Sequence, residues 1–418
     1  MKNHVCVLII LFVPALNAQG QAIFQGLGDF PGGAFHSSAS DLAADGSIVV
    51  GAGETEIDGQ FRRLPFRWTS ATGLVSIEVP PGPWAAVASA TDISPSGAVI
   101  IGSLSGERAF RWTVAEGAVL LPSIDPPEGY IPSDSATGVS EGGGVIVGSQ
   151  LLVELEGDPT VFTRAIRWTE AGPEVLVPAP GESGHHTASG VSDMGLVATG
   201  ALGGRAFQWT QATGMVPIGP DLLSAGHCVS GDGRVIGGTF SQSPFSRPAF
   251  RWAEGTGMRS IGRLLTSGST IAFASSHDGS VLVGYSGNSA ESQAFIWDRR
   301  RGMRSLHDVL KGFDLDVGDW SLRRATGVSA DGSHICGYGI NPDGNTEAFL
   351  ITLPPFCLAD WNDDGSVRSA DIVAFLGAWF SELSGDGWAT DLNDSGSVTA
   401  ADITAFLGAW FAALAEGC

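Results

Sequence analysis

The chain has 418 residues and a formal net charge of −22, because 44 acidic residues face only 22 lysines and arginines. This acidic excess argues against nucleic acid or an anionic membrane surface as a partner. The 59 glycines favour a turn-rich β protein, and the length leaves room for one large domain and one small one.

Residues 1–18 have the features of a secretory signal peptide. Lys2 gives the charged start, residues 5–16 form an apolar stretch, and Ala18 is a suitable cleavage point. The apolar stretch is too short to span a bilayer comfortably, and no later stretch is long and apolar enough to do so. We therefore expect a protein that is secreted, found outside the cell or at its surface, and not inserted in a membrane.

A repeat of roughly 45 residues dominates the chain up to residue 353. Each copy has a turn built on Asp or Ser with Gly, then an apolar run ending in Gly, then a strand of the form aromatic-x-Trp. The tryptophans of the first six copies are Trp68, Trp112, Trp168, Trp209, Trp252 and Trp297. A seventh, degenerate copy carries Phe349 and Ile351 instead. Periods of this size are typical of solenoids, propellers and other arrays.

The second copy indicates which of these architectures applies. Residues 90–94, 98–102, 107–114 and 118–121 read as four short strands with Gly-containing turns, which is the pattern of a propeller blade. The Trp of each copy is expected to pack between neighbouring blades. The seventh copy stops at residue 353 without a fourth strand, and residues 23–28 resemble such a strand. The sequence therefore predicts an all-β, seven-bladed propeller over residues 23–353, closed by its N-terminal strand.

Candidate catalytic groups are sparse in this region, and we predict no catalytic residue. The histidines fall in different copies of the repeat and are expected to lie in loops or at strand edges. The recurring Asp-Gly pairs are interpreted as turn formers, and no phosphate loop, nucleophile elbow or zinc-protease motif is present. The two longest insertions, residues 151–163 and 298–320, are predicted to be rim loops, where propellers tend to bind ligands.

The start of the repeat region at residues 26–33 (GLGDFPGG), the SADGS and VVG hairpins and the AFRWT strands resemble the extracellular HAF-type repeats of bacteria. The resemblance covers most of the chain. It implies a secreted repeat protein of unsettled biochemical role, and it supplies no catalytic residues.

Residues 354–356 form a short proline-containing linker, and the sequence then changes character. Two twelve-residue acidic loops, starting at Asp360 and Asp391, each precede a helix-forming segment. Their spacing is that of calcium loops, which supply oxygen ligands from alternate positions and the last position. The expected ligands are Asp360, Asn362, Asp364, the Ser366 carbonyl and Asp371 in the first loop, and Asp391, Asn393, Ser395, Ser397 and Asp402 in the second.

This duplicated loop and helix resembles a type I dockerin, in the bacterial form that ends in Gly-Cys. The Asp at position twelve and the lack of a helix before the first loop both match that family. The resemblance implies a small all-α domain over residues 357–418 that binds two Ca²⁺ ions and docks to a cohesin-like partner. Docking would use positions ten and eleven of each loop, which here are Ser369, Ala370, Ala400 and Ala401. Arg368 at position nine and Ser395 at position five depart from the usual ligand pattern.

Export of the protein would permit its cysteines to form disulfides. Cys357 and Cys418 bracket the C-terminal domain, and we expect a disulfide between them. Cys228 and Cys336 lie in the fifth and seventh copies of the repeat, which would not be neighbouring blades. We therefore expect these two thiols to be unpaired and buried.

The combined prediction is a secreted, non-catalytic binding protein, anchored by calcium-dependent docking to a cohesin-like domain or surface scaffold. Its propeller would be an interaction head that could contact extracellular glycans. The alternative is a polysaccharide-degrading glycoside hydrolase within a dockerin-assembled complex, which would need two or three carboxylates converging in a central pocket. A third interpretation is a structural surface protein whose C-terminal module binds only within the same chain.

Overall fold

The structure is a computed structural model that describes residues 21–82, 86–105, 108–154, 161–243, 246–383 and 387–417. The predicted signal peptide and Cys418 lie outside these ranges. The chain forms a seven-bladed β-propeller of seven four-stranded antiparallel sheets, followed by two helices. No helix in the described ranges is long and apolar enough to cross a membrane.

In the first four blades the strands follow one another along the chain, and each pairs with the next. Blade one contains β2 Ser37–Leu42, β3 Val49–Ile57, β4 Gln60–Thr69 and β5 Gly73–Ser76. Blade two contains β6 Ala88–Ile93, β7 Val99–Leu104, β8 Arg108–Thr113 and β9 Gly117–Leu120. Blade three contains β10 Tyr130–Val139, β11 Ile146–Glu154, β12 Val161–Thr169 and β13 Gly172–Val175. Blade four contains β14 His186–Val191, β15 Val197–Leu202, β16 Arg205–Thr210 and β17 Gly214–Pro217.

The last three blades have the same order, except that the seventh takes a strand from the start of the chain. Blade five contains β18 Ser224–Val229, β19 Val235–Phe240, β20 Ala249–Ala253 and β21 Gly257–Gly262. Blade six contains β22 Ser269–Ser275, β23 Val281–Gly287, β24 Ser292–Asp298 and β25 Gly302–Ser305. Blade seven contains β26 Ser321–Val328, β27 His334–Ile340, β28 Thr346–Thr352 and β1 Ile23–Gly26.

The N-terminal strand β1 closes the ring by pairing antiparallel with β28. The register runs from Ile23 opposite Thr352 to Gly26 opposite Phe349, and the Leu27 amide extends it by donating to the Ala348 carbonyl at 2.8 Å. A strand from the first residues thus covers the edge that blade seven would otherwise expose, which removes a site for unwanted strand pairing.

The repeated aromatic residues form the core. The first aromatic of each motif, such as Phe66 or Phe207, is completely buried within its own blade. The Trp two residues later reaches the preceding blade: Trp209 of blade four packs with Val147 and Ala165 of blade three. The expectation that these tryptophans pack between blades is confirmed.

The Ser-x-Asp-Gly turns between the first two strands of a blade are held by side-chain hydrogen bonds. In blade five, Ser230 Oγ accepts from the Val235 amide at 2.9 Å and donates to Asp232 Oδ1 at 2.6 Å. Asp232 Oδ1 also accepts from the Arg234 amide at 3.0 Å. Gly233 occupies the left-handed position at φ 77°, which a side chain would strain. The aspartate here acts as a turn former, as the sequence indicates.

The turns between the first two strands of all seven blades are hydrogen-bonded to one another in a closed ring, which we call the turn ring. Six links join backbone amides to carbonyls at 2.9–3.0 Å. They run, donor to acceptor, from Ala44 to Pro95, Glu141 to Asp193, Asp193 to Gly231, Asp232 to His277, His277 to Ala330 and Ala330 to Ala44. Pro95 has no amide hydrogen, and the seventh link is made by Ser96 Oγ donating to the Glu141 carbonyl at 3.0 Å. The turn ring defines one end of the central channel.

The two long insertions contain regular structure where they are described, and residues 155–160 of the first lie outside the described ranges. Their position on the rim stays a prediction. Residues 151–154 and 161–163 extend β11 and β12 as a paired hairpin in which Val153 lies opposite Val161. Residues 298–320 include β25 and the helix α1, Leu306–Gly312. Ser305 caps α1 by accepting from the Asp308 amide, and its apolar side chains are buried against blades six and seven.

The C-terminal helices are α2, Ser369–Glu382, and α3, Ala400–Glu416. Their shared core is a stack of Phe375 on Phe406, with ring centroids 4.2 Å apart and planes 3° from parallel. Trp361 meets Phe375 edge-on at 5.0 Å. Each helix buries the apolar residues that follow its acidic loop, so the helices position the two loops beside each other.

Candidate functional site

The first acidic loop is folded around the carboxylate of Asp360. Asp360 Oδ1 accepts from the Asp364 amide at 3.1 Å and Oδ2 accepts from the Gly365 amide at 2.8 Å. Asn362 Oδ1 also accepts from the Asp364 amide, at 2.9 Å. Gly365, at φ 78°, makes the sharp turn that directs these oxygens to one side of the loop. Asn362 Nδ2 in turn donates to Asp364 Oδ2 at 3.3 Å, so hydrogen bonds link the predicted ligand positions one, three and five.

The position-twelve aspartates close both loops from inside the helices. Asp371 is completely buried, and its two oxygens accept from the amides of Asn362 at 3.1 Å and Arg368 at 2.8 Å. Asp402 is equally buried and accepts from the amides of Asn393 at 3.3 Å and Thr399 at 2.7 Å. Each of these carboxylates thus caps its helix and faces its loop.

The second loop repeats this arrangement with fewer charges. Asp391 is 1% exposed, and its oxygens accept from the amides of Ser395 at 3.0 Å and Gly396 at 2.9 Å. Asn393 Oδ1 accepts from the Ser395 amide at 3.0 Å, and Ser395 Oγ donates to the Ser397 carbonyl at 3.0 Å. Two carboxylates, one amide, one hydroxyl and one carbonyl are the oxygens that this loop offers.

The oxygen set of both loops fits a hard divalent cation. Asp371, Asp391 and Asp402 are at most 1% exposed, and no ion pair in the described ranges involves any of them. Buried carboxylates without a cation are costly, so these positions suit Ca²⁺, which takes oxygen ligands. The described side chains nevertheless contain no compact group of three acidic, His or Cys side chains. Any calcium site here would therefore depend on amide, hydroxyl and carbonyl oxygens as well as carboxylates.

The predicted partner-docking residues lie at the exposed starts of the two helices: Ser369, Ala370, Ala400 and Ala401. Trp379 of α2 donates through Nε1 to the Thr399 carbonyl at 2.9 Å, and Trp410 of α3 donates to the Arg368 carbonyl at 3.0 Å. These reciprocal bonds bring the two helix starts together with approximate two-fold symmetry.

The outer surface of the helices is unusually apolar. Its largest exposed side chains are Val373, Phe380, Phe411 and Leu414, with 70%, 64%, 62% and 53% of their surface exposed.

Arginines of the propeller bind one aspartate in each loop, and neither aspartate is among the predicted calcium ligands. Asp394, at position four of the second loop, receives Arg251 Nη1 and Nη2 at 2.8 Å each and Arg299 Nη2 at 2.5 Å. Asp363, at position four of the first loop, pairs with Arg300 and Arg301. We call these four arginines and two aspartates the arginine clamp. It lies between the tips of the β20–β21 and β24–β25 hairpins and the two loops.

The rest of this contact is partly stacked and partly open. Trp388, just before the second loop, stacks on Trp297 with ring centroids 5.6 Å apart, and the Arg259 and Arg299 guanidinium groups lie over its ring. A side chain at Gly255 would collide with the Asp394 carbonyl, so the backbones touch there. Cavities of about 520 and 790 Å³ remain beside the clamp. The contact therefore depends on the clamp more than on continuous packing.

Sequence reasoning missed the clamp because position four of a calcium loop carries no ligand. A signal was nevertheless present. Residues 299–301 are three consecutive arginines in a chain with only 22 basic residues, and the equivalent hairpin tips of blades one to five contain no arginine.

One residue from each blade lines the central channel at a level that we call the waist. These residues are Ser40, Thr91, Thr137, Ser189, His227, Phe273 and Thr326. The threonines bridge blades: Thr91 Oγ1 donates to the Ala136 carbonyl at 2.8 Å, and Thr137 Oγ1 donates to the Ala188 carbonyl at 3.0 Å.

Two carboxyl groups, those of Asp41 and Asp92, lie between the waist and the turn ring. They hydrogen-bond to each other, and burial raises the pKa of both; the charge of Asp41 raises that of Asp92 further. Asp92 Oδ2 accepts from the Val139 amide at 2.7 Å, and Asp41 Oδ2 accepts from the Ile93 amide at 3.4 Å. The pair thus joins blades one, two and three.

The histidines are less scattered than the sequence analysis expected. His227 and His277 both line the channel. Burial lowers the pKa of His227 to about 4, so its imidazole is neutral at physiological pH. His277 Nδ1 lies 2.8 Å from Asp193 Oδ2 on the turn ring. His186 is structural, since its Nδ1 accepts from the Ala165 amide at 2.8 Å.

The cysteines follow the prediction where they can be described. Cys228 and Cys336 are buried free thiols, as expected. Burial raises the pKa of Cys228 to about 12, which makes it unreactive. Cys357 is disulfide-bonded. Its predicted partner, Cys418, lies outside the described residues, and that pairing stays a prediction.

No family model and no curated protein matches the chain. Among solved structures it is similar to an oligogalacturonate lyase in complex with manganese, at 15% identity and a TM-score of 0.48, over 80% of this chain and 97% of that one. It is also similar to a puromycin hydrolase, at 14% identity and a TM-score of 0.49, over 74% of this chain and 51% of that one. A third similar structure is TolB from Acinetobacter baumannii, at 13% identity and a TM-score of 0.36, over 75% of this chain and 82% of that one. Some of these are enzymes by name, but similarity at this level carries no activity over to the present chain.

Proposed function

We propose that this is a secreted, non-catalytic binding protein. Its C-terminal pair of loops and helices is a dockerin-like module that binds two Ca²⁺ ions and attaches the propeller to a cohesin-like domain or another surface scaffold. The observation that carries this proposal is the pair of matching loops, in which the buried carboxylates of Asp371, Asp391 and Asp402 have no ion-pair partner in the described ranges.

The calcium ions would supply the positive charge that holds these carboxylates together and so fixes the helix starts. Asp360, Asn362, Asp364, the Ser366 carbonyl and Asp371 would hold the first ion. The second would be held by Asp391, Asn393, Ser395, the Ser397 carbonyl and Asp402. With three carboxylates against two, the first loop is expected to bind more tightly.

The orientation of the module supports partner docking. The arginine clamp engages the loops at position four, and it leaves positions ten and eleven and the apolar outer face of α2 and α3 exposed. Exposed apolar side chains next to small residues are suited to a protein interface. The clamp and an external partner would thus use different faces of the same module.

Isothermal titration of the full chain with Ca²⁺ tests this function. Two sites are expected, and Asp371→Asn should weaken the tighter one while Asp402→Asn weakens the other. Asp45→Asn, at a propeller turn, is the matched control and should change neither. A cohesin-type module should bind in Ca²⁺ and not in chelator, and Ala370→Arg with Ala401→Arg should abolish that binding without loss of calcium. Absence of calcium binding would refute the assignment.

The alternative is a polysaccharide-degrading hydrolase, and Asp41 with Asp92 is the carboxylate pair that it would use. Glycosidase carboxylates stand about 5–5.5 Å apart in retaining enzymes and roughly 6.5–9.5 Å apart in inverting ones. Asp41 and Asp92 instead hydrogen-bond directly to each other and to backbone amides of neighbouring blades. This geometry favours a role in joining blades and supports binding over hydrolysis.

A further inference from the structure

The channel end opposite the turn ring is a concave mouth of about 690 Å³ with a different chemistry from the rest of the surface. Above the waist it is lined by Arg63, Arg324 and Tyr338, and the waist below presents five hydroxyl groups. Two of the three tyrosines in the chain, Tyr285 and Tyr338, lie at or beside this mouth. Arg63 and Arg324 give this concavity two guanidinium groups in a chain with a net charge of −22.

Arg324 is held in place by aromatic rings. Its guanidinium carbon is 4.3 Å from the centre of the Tyr285 ring and 5.9 Å from that of Tyr338. No ion pair in the described ranges involves Arg324. The register of β26 and β27 shifts between Leu322 and Arg324, and such a bulge redirects the side chains that follow it. Stacking fixes the plane of the guanidinium group while its N–H edge keeps its donors.

Arg63 reaches the same place from blade one. It lies 3.8 Å from Glu54, so its charge is partly offset, and it donates to Ser38 Oγ at 3.4 Å. Burial raises the pKa of Tyr338, and Arg324 and Arg63 both oppose this rise, which places both guanidinium groups near one phenol. The mouth therefore has two guanidinium groups, those of Arg63 and Arg324, near the Tyr338 ring.

An aromatic surface continues from the arginines to the waist. Tyr285 stacks on Phe273 at 5.6 Å with planes 27° apart, and Phe273 meets His227 edge-on at 5.7 Å. Beyond the waist lie Asp41 and Asp92, whose carboxyl groups hydrogen-bond to each other.

We propose that this mouth binds an acidic glycan, with the carboxylate of a uronate residue on Arg324 and the sugar ring at Phe273, above the waist. A planar guanidinium group binds a carboxylate through two parallel hydrogen bonds. The waist hydroxyls of Ser40 and Ser189 are of the kind that hydrogen-bond to sugar hydroxyls, and the Thr91 and Thr137 oxygens, whose protons bond to neighbouring blades, can still accept. This inference builds on the proposed binding role of the propeller by naming its ligand class, and it does not depend on calcium.

Two trisaccharides that differ only at carbon six make a direct test. β-1,4-Glucuronan trisaccharide carries carboxylates where cellotriose carries hydroxymethyl groups. Calorimetric titration of the full chain should give at least tenfold tighter binding of the glucuronan. Arg324→Gln should remove that preference, Arg324→Lys should retain part of it, and Arg111→Gln, an arginine on a hairpin of blade two, should retain all of it. Arg63→Gln is a second mouth variant in case Arg324→Gln does not fold.

Three results would overturn the inference: equal binding of both trisaccharides, no binding of glucuronan at millimolar concentration, or full binding by folded Arg324→Gln and Arg63→Gln variants. The titration is repeated in chelator, where glucuronan binding should persist because the mouth belongs to the propeller. A failure of calcium binding with intact glucuronan binding would refute the docking module alone. The reverse pattern would refute the glycan site alone.

Discussion

The arginine clamp gives a prediction whose size follows from burial. Arg251 is 2% exposed and makes two 2.8 Å bonds to Asp394, whose side chain is 25% exposed and is shared with Arg299. Asp394→Asn would remove the charge from this group. Asn also tolerates the left-handed backbone that Asp394 adopts at φ 54°, so the loop itself should keep its shape.

The expected cost comes from leaving two arginines without their acid. Breaking a buried ion pair on one side costs about 3–5 kcal/mol. Partial exposure of Asp394 and the remaining amide oxygen reduce this to about 2–4 kcal/mol. At 1.4 kcal/mol for each factor of ten, docking of the module on the propeller should weaken roughly 30- to 1,000-fold.

The assay is fluorine NMR of protein labelled with 5-fluorotryptophan, in saturating Ca²⁺. Trp388 stacks on Trp297 only while the module is docked, so its resonance, assigned with Trp388→Phe, should move to a solvent-exposed position in Asp394→Asn. The matched control is Glu116→Gln, which removes the partner of Arg111 at the equivalent strand position of blade two. That pair is 32% and 59% exposed, so its loss should cost about 0–1 kcal/mol and leave Trp388 unchanged. A Trp388 resonance that is identical in Asp394→Asn and wild type would refute the reasoning.

Two further predictions concern the propeller. Phe24 lies in the closing strand, with its ring 5.0 Å from that of Trp320, so Phe24→Ala should lower the free energy of unfolding by about 2 kcal/mol. Phe61 is 55% exposed, and Phe61→Ala should change the free energy of unfolding by less than about 0.5 kcal/mol. Equal melting temperatures for the two variants would show that ring closure adds no stability. Burial holds the pKa of Asp92 well above its ordinary value of 3.8, so the folded protein binds this proton more tightly than the unfolded chain and loses stability as the pH rises above that value. The amide of Asp92→Asn can donate to Asp41 without the carboxyl proton that Asp92 needs. The variant should therefore raise the melting temperature at pH 8 and not at pH 4, and the same shift at both pH values would contradict this.

The repeat pattern predicted the propeller because each blade is a local unit. The apolar alternation, the Gly turns and the Phe-x-Trp strands all lie within about 45 residues, and every copy predicts the same four-stranded sheet. The missing fourth strand of the last copy even indicated how the ring closes, and Ile23 does pair with Thr352. The short helix α1 was missed because seven residues are too few to show a helical period.

The functional surfaces were harder to predict because they join residues that are far apart in sequence. Arg251 and Asp394 are 143 residues apart, and no local pattern couples them. The carboxyl pair is different, since aligning the repeats would have marked it. Asp41 and Asp92 occupy a position that is Gly138, Gly190 or another small residue in the other blades. A charged residue at a position that is otherwise small is a usable signal once the blades are superimposed.

The placement of the module is compatible with both of the proposed binding surfaces. The cavity beside the clamp is lined by Asp232, Asp278 and Asp331, which all belong to the turn ring. The module therefore lies at the turn-ring end of the channel, and Arg324 lies at the other end. The clamp uses the position-four carboxylates and not those of the predicted calcium ligands, and it leaves the outer face of the two helices exposed. A scaffold bound to α2 and α3 would leave the arginine-lined mouth open, so attachment and ligand binding would not compete.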